Sequence, residues 1–221
     1  MKKLFAVSLV AVSLACLAPQ AGAVTVGIKG GLNLAEMTVK STAVDLPDFK
    51  SRKGMVEGIF VNFKLGPVSI QPELLYSSRG LSYIEVEDET TRVTGLFYLD
   101  YVEVPVLVKY SFLSGKARPF LYAGPSFSVL LKAQQGYDVD FFDDIEPDYN
   151  YRLDMEENIK KSEFAGVFGA GVDIKLPKVM LSLEGRYHFG LTNIGTDALL
   201  AEADITSAKN KGFSILVGIG F

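Results

Sequence analysis

The residues of this sequence that could do chemistry are charged side chains at every second position of apolar or small stretches. Ten of them fall on the same side of such stretches: Lys29, Asp173 and Lys175, and the seven from which we expect the main pairs, Lys64, Glu73, Glu103, Lys109, Arg118, Glu184 and Arg186. Because successive side chains of a β-strand point to opposite faces, these charges would share one face of a sheet. Enclosed charges cost free energy unless they pair. We therefore expect a polar plug of ion pairs that fixes strand register; a path for protons or small ions is the functional alternative.

The chain contains one histidine, His188, two positions after Arg186 on the same face. It could act as a general base on a hydroxyl group, which would make the chain a lipid-modifying hydrolase or acyltransferase. The hydroxyl partners that share its face are Ser77, Ser126, Ser128 and Ser182. No Gly-x-Ser-x-Gly elbow, metal-spaced histidine pair or phosphate loop accompanies it. Packing is the simpler interpretation, and the sequence predicts no catalytic, cofactor-binding or metal-binding residue.

Residues 132–161 form an acidic and aromatic stretch that we interpret as a long, solvated outer loop. Its acidic and aromatic members are Tyr137, Asp138, Asp140, Phe141, Phe142, Asp143, Asp144, Glu146, Asp148, Tyr149 and Tyr151. Calcium binding is one alternative, although the spacing of Asp138, Asp140, Asp143 and Asp144 lacks the glycine and closing glutamate of an EF-hand. Another is a basic surface or secretion partner that contacts Phe141 and Phe142.

The N-terminus has the three parts of an export signal. Met1-Lys2-Lys3 is followed by an apolar run to Ala18 and by the small-residue site Ala21-Gly22-Ala23. This pattern predicts a signal peptide, residues 1–23, cleaved after Ala23, and a mature domain of residues 24–221. Cys16 leaves a lipoprotein as an alternative, although Ser13 stands where a lipobox normally has leucine. Cleavage after Ala23 would remove the only cysteine, and with it any thiol chemistry or disulfide.

Charge and hydropathy exclude several classes of protein. Loss of residues 1–23 would remove Lys2 and Lys3 but no acidic residue, which leaves 20 basic against 26 acidic side chains. Nucleic acid is therefore a poor partner, because its binding needs a basic surface. After residue 23 there is no apolar run of about 18 residues, so the sequence predicts no transmembrane helix.

Alternation with a period of two predicts eight strands in the mature chain. Their approximate spans are 24–35, 54–65, 67–79, 97–112, 117–131, 162–176, 178–190 and 211–221. The links after the second, fourth and sixth strands are tight, whereas 36–53, 80–96, 132–161 and 191–210 are long. Strict alternation of short and long links is typical of an up-and-down outer-membrane barrel. We expect an all-β fold, an eight-stranded antiparallel transmembrane β-barrel.

The last strand indicates which face looks outward. Phe213, Ile215, Val217, Ile219 and Phe221 share one side, and the other is nearly bare. A soluble lipocalin-like barrel would put the bulky side inside, where an eight-stranded lumen has too little room. We therefore expect the bulky side to face lipid. Two aromatic rims follow from the strand positions: Phe63, Tyr110, Phe112 and Phe221 on the periplasmic side, and Tyr76, Tyr98, Phe164, Tyr187 and Phe213 on the outer side.

Several blocks of the mature chain resemble the PorT-like family of outer-membrane β-barrel domains of Bacteroidetes-type bacteria. They are Gly27-Ile-Lys-Gly-Gly-Leu-Asn33, Gln71-Pro-Glu-Leu-Leu-Tyr76, Leu99-Asp-Tyr-Val-Glu-Val-Pro105 with Lys109-Tyr110, Pro119-Phe-Leu-Tyr-Ala-Gly-Pro125, Gly169-Ala-Gly-Val172, Gly185-Arg-Tyr187, Gly190-Leu-Thr-Asn-Ile194 and the terminal Phe221. The family is named after a protein implicated in secretion and maturation of surface proteinases. The resemblance implies an outer-membrane location, and it carries no functional motif into the loops.

These observations favour a non-enzymatic barrel in the outer membrane with both termini in the periplasm. Its expected role is structural or interactive, as an accessory to protein secretion or surface assembly. A small-solute porin is the first alternative, and a lipid-modifying barrel enzyme is the second. The expected contacts are outer-membrane lipid, the barrel-assembly machinery through the terminal strand and Phe221, and a surface partner through residues 132–161. No cofactor is expected.

Overall fold

The computed structural model describes residues 24–41, 49–87, 91–113, 115–141, 149–202 and 204–221. The predicted signal peptide, residues 1–23, lies outside them. The strands are β1 (Val24–Ser41), β2 (Phe49–Leu65), β3 (Val68–Glu87), β4 (Thr91–Ser111), β5 (Ala117–Phe141), β6 (Tyr149–Asp154), β7 (Ser162–Lys175), β8 (Met180–Gly190) and β9 (Ile205–Gly220). One short helix, α1 (Asp197–Glu202), precedes β9. None of the helical structure in these ranges is long and apolar enough to cross a membrane.

Eight of the strands close into a ring. Each of β1–β5 pairs antiparallel with the strands next to it in the chain, β5 continues to β7, and β7, β8 and β9 follow in order. The ring closes between β1 and β9, where Gly27 lies opposite Gly220. The remaining strand, β6, is not part of the ring and pairs only with the C-terminal part of β5. This topology confirms the predicted eight-stranded antiparallel up-and-down barrel.

The two faces of the barrel wall differ as the alternation predicts. On β9 the outward side chains of Ile215 and Val217 are 55% and 56% exposed, while inward Leu216 is fully buried. The same outward apolar band runs around the other ring strands, with exposed residues such as Leu32 and Val108. A soluble barrel with its apolar side chains inside is therefore the wrong interpretation, and the outward band provides the surface that acyl chains require.

The short links after β2, β4 and β7 lie at one end of the barrel, together with Val24 and Phe221; we call this the turn end and the opposite one the loop end. At the loop end the strands are much longer than predicted. β3, β4 and β5 contain 20, 21 and 25 residues, against the roughly nine to eleven that a tilted crossing needs.

The prediction of a long loop over residues 132–161 is wrong for residues 132–141 and 149–154, which are strand. β5 continues to Phe141 and pairs with β6, so that Tyr137 lies opposite Tyr151. Backbone pairing needs no apolar alternation, which is why this polar hairpin escaped a search for periodicity. Phe142, Asp143 and Asp144 lie outside the described residues, and the described part of the chain contains no cluster of acidic, histidine or cysteine side chains that could hold a metal ion.

Two segments, residues 155–161 and 191–202, form a cap over the loop end of the lumen. The backbone amide of Lys160 donates to the carbonyl oxygen of Ile194 at 2.6 Å, and that of Thr196 donates to Asn158 at 2.9 Å. Beneath them lies an apolar cluster made by the cap and by inward residues of the ring: Leu99, Tyr101, Ala133, Ile159, Ile194, Leu200 and Ala208. The cap thus closes the loop end with apolar side chains.

Two adjacent glycines on β1 test how closely the strands pack at the closing seam, where β1 pairs with β9. A Cβ atom at Gly31 would overlap the backbone carbonyl oxygen of Ile215 on β9, whereas one at Gly30 would find its nearest atoms at 3.6 and 3.8 Å. We expect Gly31→Ala to lower the yield of folded barrel and Gly30→Ala to leave it unchanged. The measurement is the fraction of protein whose gel mobility shifts on boiling. Equal yields for the two variants would contradict this account of the seam.

Candidate functional site in the barrel lumen

The centre of the lumen holds a closed ring of four charges from three strands. Lys29 Nζ lies 2.7 Å from Glu73 Oε1 and 2.9 Å from Glu184 Oε1. Arg186 Nη2 lies 2.8 Å from Glu73 Oε2 and 2.9 Å from Glu184 Oε1. Each side chain is at most 4% exposed. Two cations therefore neutralise two carboxylates in the absence of bulk water, which is the condition for burying them.

Small neighbours make room for these long side chains. Lys29 lies opposite Gly58 on β2 and opposite Gly218 on β9. Arg186 lies opposite Gly169 on β7 and Ser214 on β9. The side chains can therefore extend across the lumen instead of pressing against the next strand.

Uncharged polar groups continue the ring toward the turn end. Gln71 Nε2 donates to Glu73 Oε1 at 2.7 Å, and Asn62 Nδ2 donates to Gln71 Oε1 at 2.9 Å. On the other side of the lumen Arg186 Nε donates to the hydroxyl oxygen of Tyr122 at 3.1 Å. Closer to the turn end there is one more ion pair, in which Lys109 Nζ lies 2.7 Å from Asp173 Oδ2.

A second charged layer lies between this ring and the cap. Arg79 bridges Glu103 and Glu163, with 3.1 Å between Arg79 Nη1 and Glu163 Oε2. Ser126 Oγ donates to Glu103 at 2.8 Å. Asn210 Nδ2 donates to Glu163 at 2.9 Å and contacts the hydroxyl group of Tyr101 at 3.3 Å. Since Tyr101 belongs to the apolar cluster under the cap, this layer connects the cap to the charged centre.

Of the seven charged residues from which the sequence predicts the main pairs, the structure brings five into these pairs: Glu73, Glu103, Lys109, Glu184 and Arg186. Lys64 and Arg118 do not join them. Both lie near the turn end, where Lys64 is exposed and Arg118 Nε donates to the backbone oxygen of Gly115 at 3.1 Å. Their positions at the strand ends let water solvate the charge, so neither needs a buried partner.

Two members of the Arg79 layer were missed by sequence reasoning. Arg79 follows Ser77 at a spacing of two, and Glu163 precedes Asp173 by ten positions, so both share the inward parity of their strands. Parity alone could have identified them. Both lie at the limits of the predicted strands 67–79 and 162–176, where alternation is weakest.

Little space remains between these side chains. One cavity of about 10 Å³ lies among Arg79, Glu103, Arg186 and His188, and one of about 50 Å³ lies at the turn end beside Lys109 and Asp173. The first has room for about one water molecule. The lumen is thus filled mainly by side chains.

His188 points into the smaller cavity and is buried. Within the described residues its Nε2 atom has no hydrogen-bond partner. The hydroxyl groups of Ser77 and Ser126 are engaged with Arg79 and Glu103 instead. The described residues therefore offer no serine that is hydrogen-bonded to a histidine base, the arrangement that an activated nucleophile requires.

A ring of eight antiparallel strands with an apolar exterior, an ion-paired interior and short turns at one end defines an outer-membrane β-barrel protein. The sequence profile of the family described as outer membrane protein beta-barrel domain matches residues 18–195, and this chain belongs to that family. Its location is accordingly the outer membrane, where the turn end of such barrels faces the periplasm. No curated protein matches the sequence.

Several solved outer-membrane proteins are similar to this chain at low identity. Neisserial surface protein A is 16% identical over 92% of this chain and 100% of its own, with a TM-score of 0.47. Ail, the attachment invasion locus protein of Yersinia pestis, is 11% identical over 90% and 99%, with a TM-score of 0.42. The outer membrane protease OmpT from Escherichia coli is 8% identical over 90% and 96%, with a TM-score of 0.33. These likenesses are too distant to bear on what this chain does.

Removal of one member of the central ring tests its contribution to stability. Arg186→Met leaves two buried carboxylates to share Lys29, and loss of one partner of a buried pair typically costs about 3–5 kcal/mol. We expect the free energy of unfolding in urea, measured in lipid vesicles, to fall by that amount. Lys160→Met is the control, because the Lys160–Asp197 pair is exposed and surface pairs contribute at most about 1 kcal/mol. A similar small loss in both variants would contradict the prediction.

Proposed function

We propose that this protein is a non-enzymatic outer-membrane barrel that acts through its surface, as a structural or interaction partner of the PorT-like type in protein secretion or surface assembly. The observation that carries the proposal is the filled lumen. The ring of Lys29, Glu73, Glu184 and Arg186 closes the centre, and among the described residues the cavities beside Arg79 and beside Lys109 measure about 10 and 50 Å³. Because the lumen is closed, a partner would have to bind to the outer surface of the barrel.

The hairpin of β5 and β6 is the surface best suited to a protein partner. It projects beyond the apolar band, and it exposes Tyr151 at 61% and Leu153 at 42%. Exposed apolar side chains at the loop end of a barrel can serve as interaction sites. This hairpin includes much of the acidic and aromatic stretch for which the sequence predicts a surface or secretion partner.

A small-solute porin is the second candidate, and its support is the polar character of the lumen. Conduction would require at least the central ring to open, and with it four charge contacts no longer than 2.9 Å. A lipid-modifying enzyme has less support, since His188 is buried away from lipid. We also propose contacts of the outer wall with membrane lipid and of β9 with the barrel-assembly machinery.

Conductance across a planar bilayer separates the interaction barrel from the porin. We expect the folded wild-type protein to give no steps of current, because the ion pairs of the central ring occupy the path. Insertion is verified by the shift of gel mobility on boiling and by protease protection of the bilayer-embedded strands. Regular current steps from inserted protein would contradict the proposal and favour the porin.

Site-specific photo-crosslinking in native membranes tests the hairpin as an interaction surface. A benzophenone amino acid at Tyr151 is expected to give a discrete protein adduct, because this side chain is 61% exposed on the hairpin. The control position is Ile215, which is 55% exposed on the apolar band and should give lipid adducts only. Identical adduct patterns at both positions, or none at Tyr151, would argue against a partner on this hairpin.

A further inference from the structure

The outer wall of the barrel contains a groove that is separate from the ion pairs of the lumen. It runs across β1–β4 at membrane depth with a volume of about 580 Å³. Its apolar sides are Ile28, Ile59 and Leu74, which are 57%, 50% and 46% exposed, together with Val102. Glu57 and Tyr76 form its edge on the side of the loop end. The groove has the position and the lining that an acyl chain requires.

Two guanidinium groups converge on one aromatic ring beyond that edge. The Cζ atom of Arg52 lies 4.1 Å from the ring centroid of Tyr98, and that of Arg152 lies 4.6 Å from it. Arg52 is anchored to β3, because its Nη1 donates to the backbone oxygen of Arg79 at 2.7 Å and to Ser78 Oγ at 3.3 Å. Arg52 is thus held in place by contacts that do not neutralise its charge.

This pair has excess positive charge. In the described ranges, no carboxylate oxygen lies within ion-pair distance of either guanidinium group. Asp100, two residues from Tyr98 on β4, interacts electrostatically with Arg52 but forms no ion pair with it, and it lies opposite Lys132 in the β4–β5 register. An anion could therefore bind between Arg52 and Arg152 without displacing an existing partner.

The height of the pair matches that of lipid head groups. Tyr98 lies four residues beyond Val102 on the outward side of β4, roughly 13 Å along the strand. Val102 is the last apolar residue of that face before Asp100 and Tyr98, so the pair lies just above the apolar band. Arg52 Nη1 donates to Ser78 Oγ, and Ser78 lies two residues beyond Tyr76, which lines the groove, on the same side of β3. Groove and guanidinium pair therefore form one continuous surface.

We propose that this surface binds one molecule of lipid A, the phosphorylated glycolipid of the outer leaflet. One acyl chain lies in the groove between Ile28, Ile59 and Leu74, and a phosphate group lies between Arg52 and Arg152. Guanidinium groups suit this role because they bind phosphate oxygens in a bidentate manner. Glu57, at the edge between the two parts, faces the sugar and can accept hydrogen bonds from its hydroxyl groups.

Native mass spectrometry of the detergent-solubilised barrel with added diphosphoryl lipid A tests the phosphate contact. We expect one retained lipid on the wild type and an apparent Kd about tenfold higher for Arg52→Gln/Arg152→Gln, the effect of losing charge-assisted contacts. The matched control is Lys160→Gln/Lys211→Gln, which removes two exposed cations that already have acidic partners and should bind as the wild type does. Equal affinity of the arginine double variant and the wild type would overturn the proposal.

The acyl contact is tested separately with Leu74→Trp, which fills the groove from its exposed side. We expect weaker retention of lipid A with Arg52 and Arg152 intact, and a boiling-dependent gel shift like that of the wild type. Dephosphorylated lipid A and phosphatidylglycerol should bind at least about tenfold more weakly than diphosphoryl lipid A. Equal retention of either probe would overturn the assignment, since it would indicate ordinary boundary lipid. A conducting or a silent barrel leaves these outcomes unchanged, so the test is independent of the proposed function.

Discussion

The structure depends on one constraint, which is that charge enclosed in a narrow barrel must be neutralised across the lumen. Lys29 reaches Glu73 and Glu184 because glycines lie opposite it on both neighbouring strands. Buried ion pairs add little net stability, since desolvation offsets the attraction between the charges. Their larger effect is on register. A slip of one residue would turn Lys29 or Arg186 toward lipid and bring apolar side chains into the lumen.

The two charged layers differ in their ratio of cations to carboxyl groups. The central ring is neutral, whereas the layer above it holds the carboxylates of Glu103 and Glu163 against the single guanidinium group of Arg79. Asn210 joins Glu163 to Tyr101 and so to the apolar cluster under the cap. Opening the cap would therefore disturb the hydrogen bonds that hold these carboxyl groups. The cap and the charged layers behave as one folded interior rather than as a barrel with a detachable loop.

The barrel could be predicted from sequence because period-two alternation is a direct result of strand geometry, and the same parity identified Glu73 and Glu184 as inward residues. The extensions at the loop end could not. Between Lys132 and Asp138 polar residues such as Gln134 and Gln135 occupy both sides of β5, so the sequence shows no apolar alternation there. Contacts that join distant strands, such as the stacking of Arg52 and Arg152 on Tyr98, depend on register and on a bulge near Tyr101. Alternation carries no information about either.

The length of β5 has a consequence for the cell surface. Ten of its residues lie beyond the irregularity near Leu131, and at roughly 3.3 Å per residue they extend about 33 Å along the strand. Because a ladder of hydrogen bonds to β4 and β6 stiffens this extension, it stands above the bilayer as a rigid post. An antibody or a phage could reach such a post where the sugar chains of the outer leaflet hide the membrane itself.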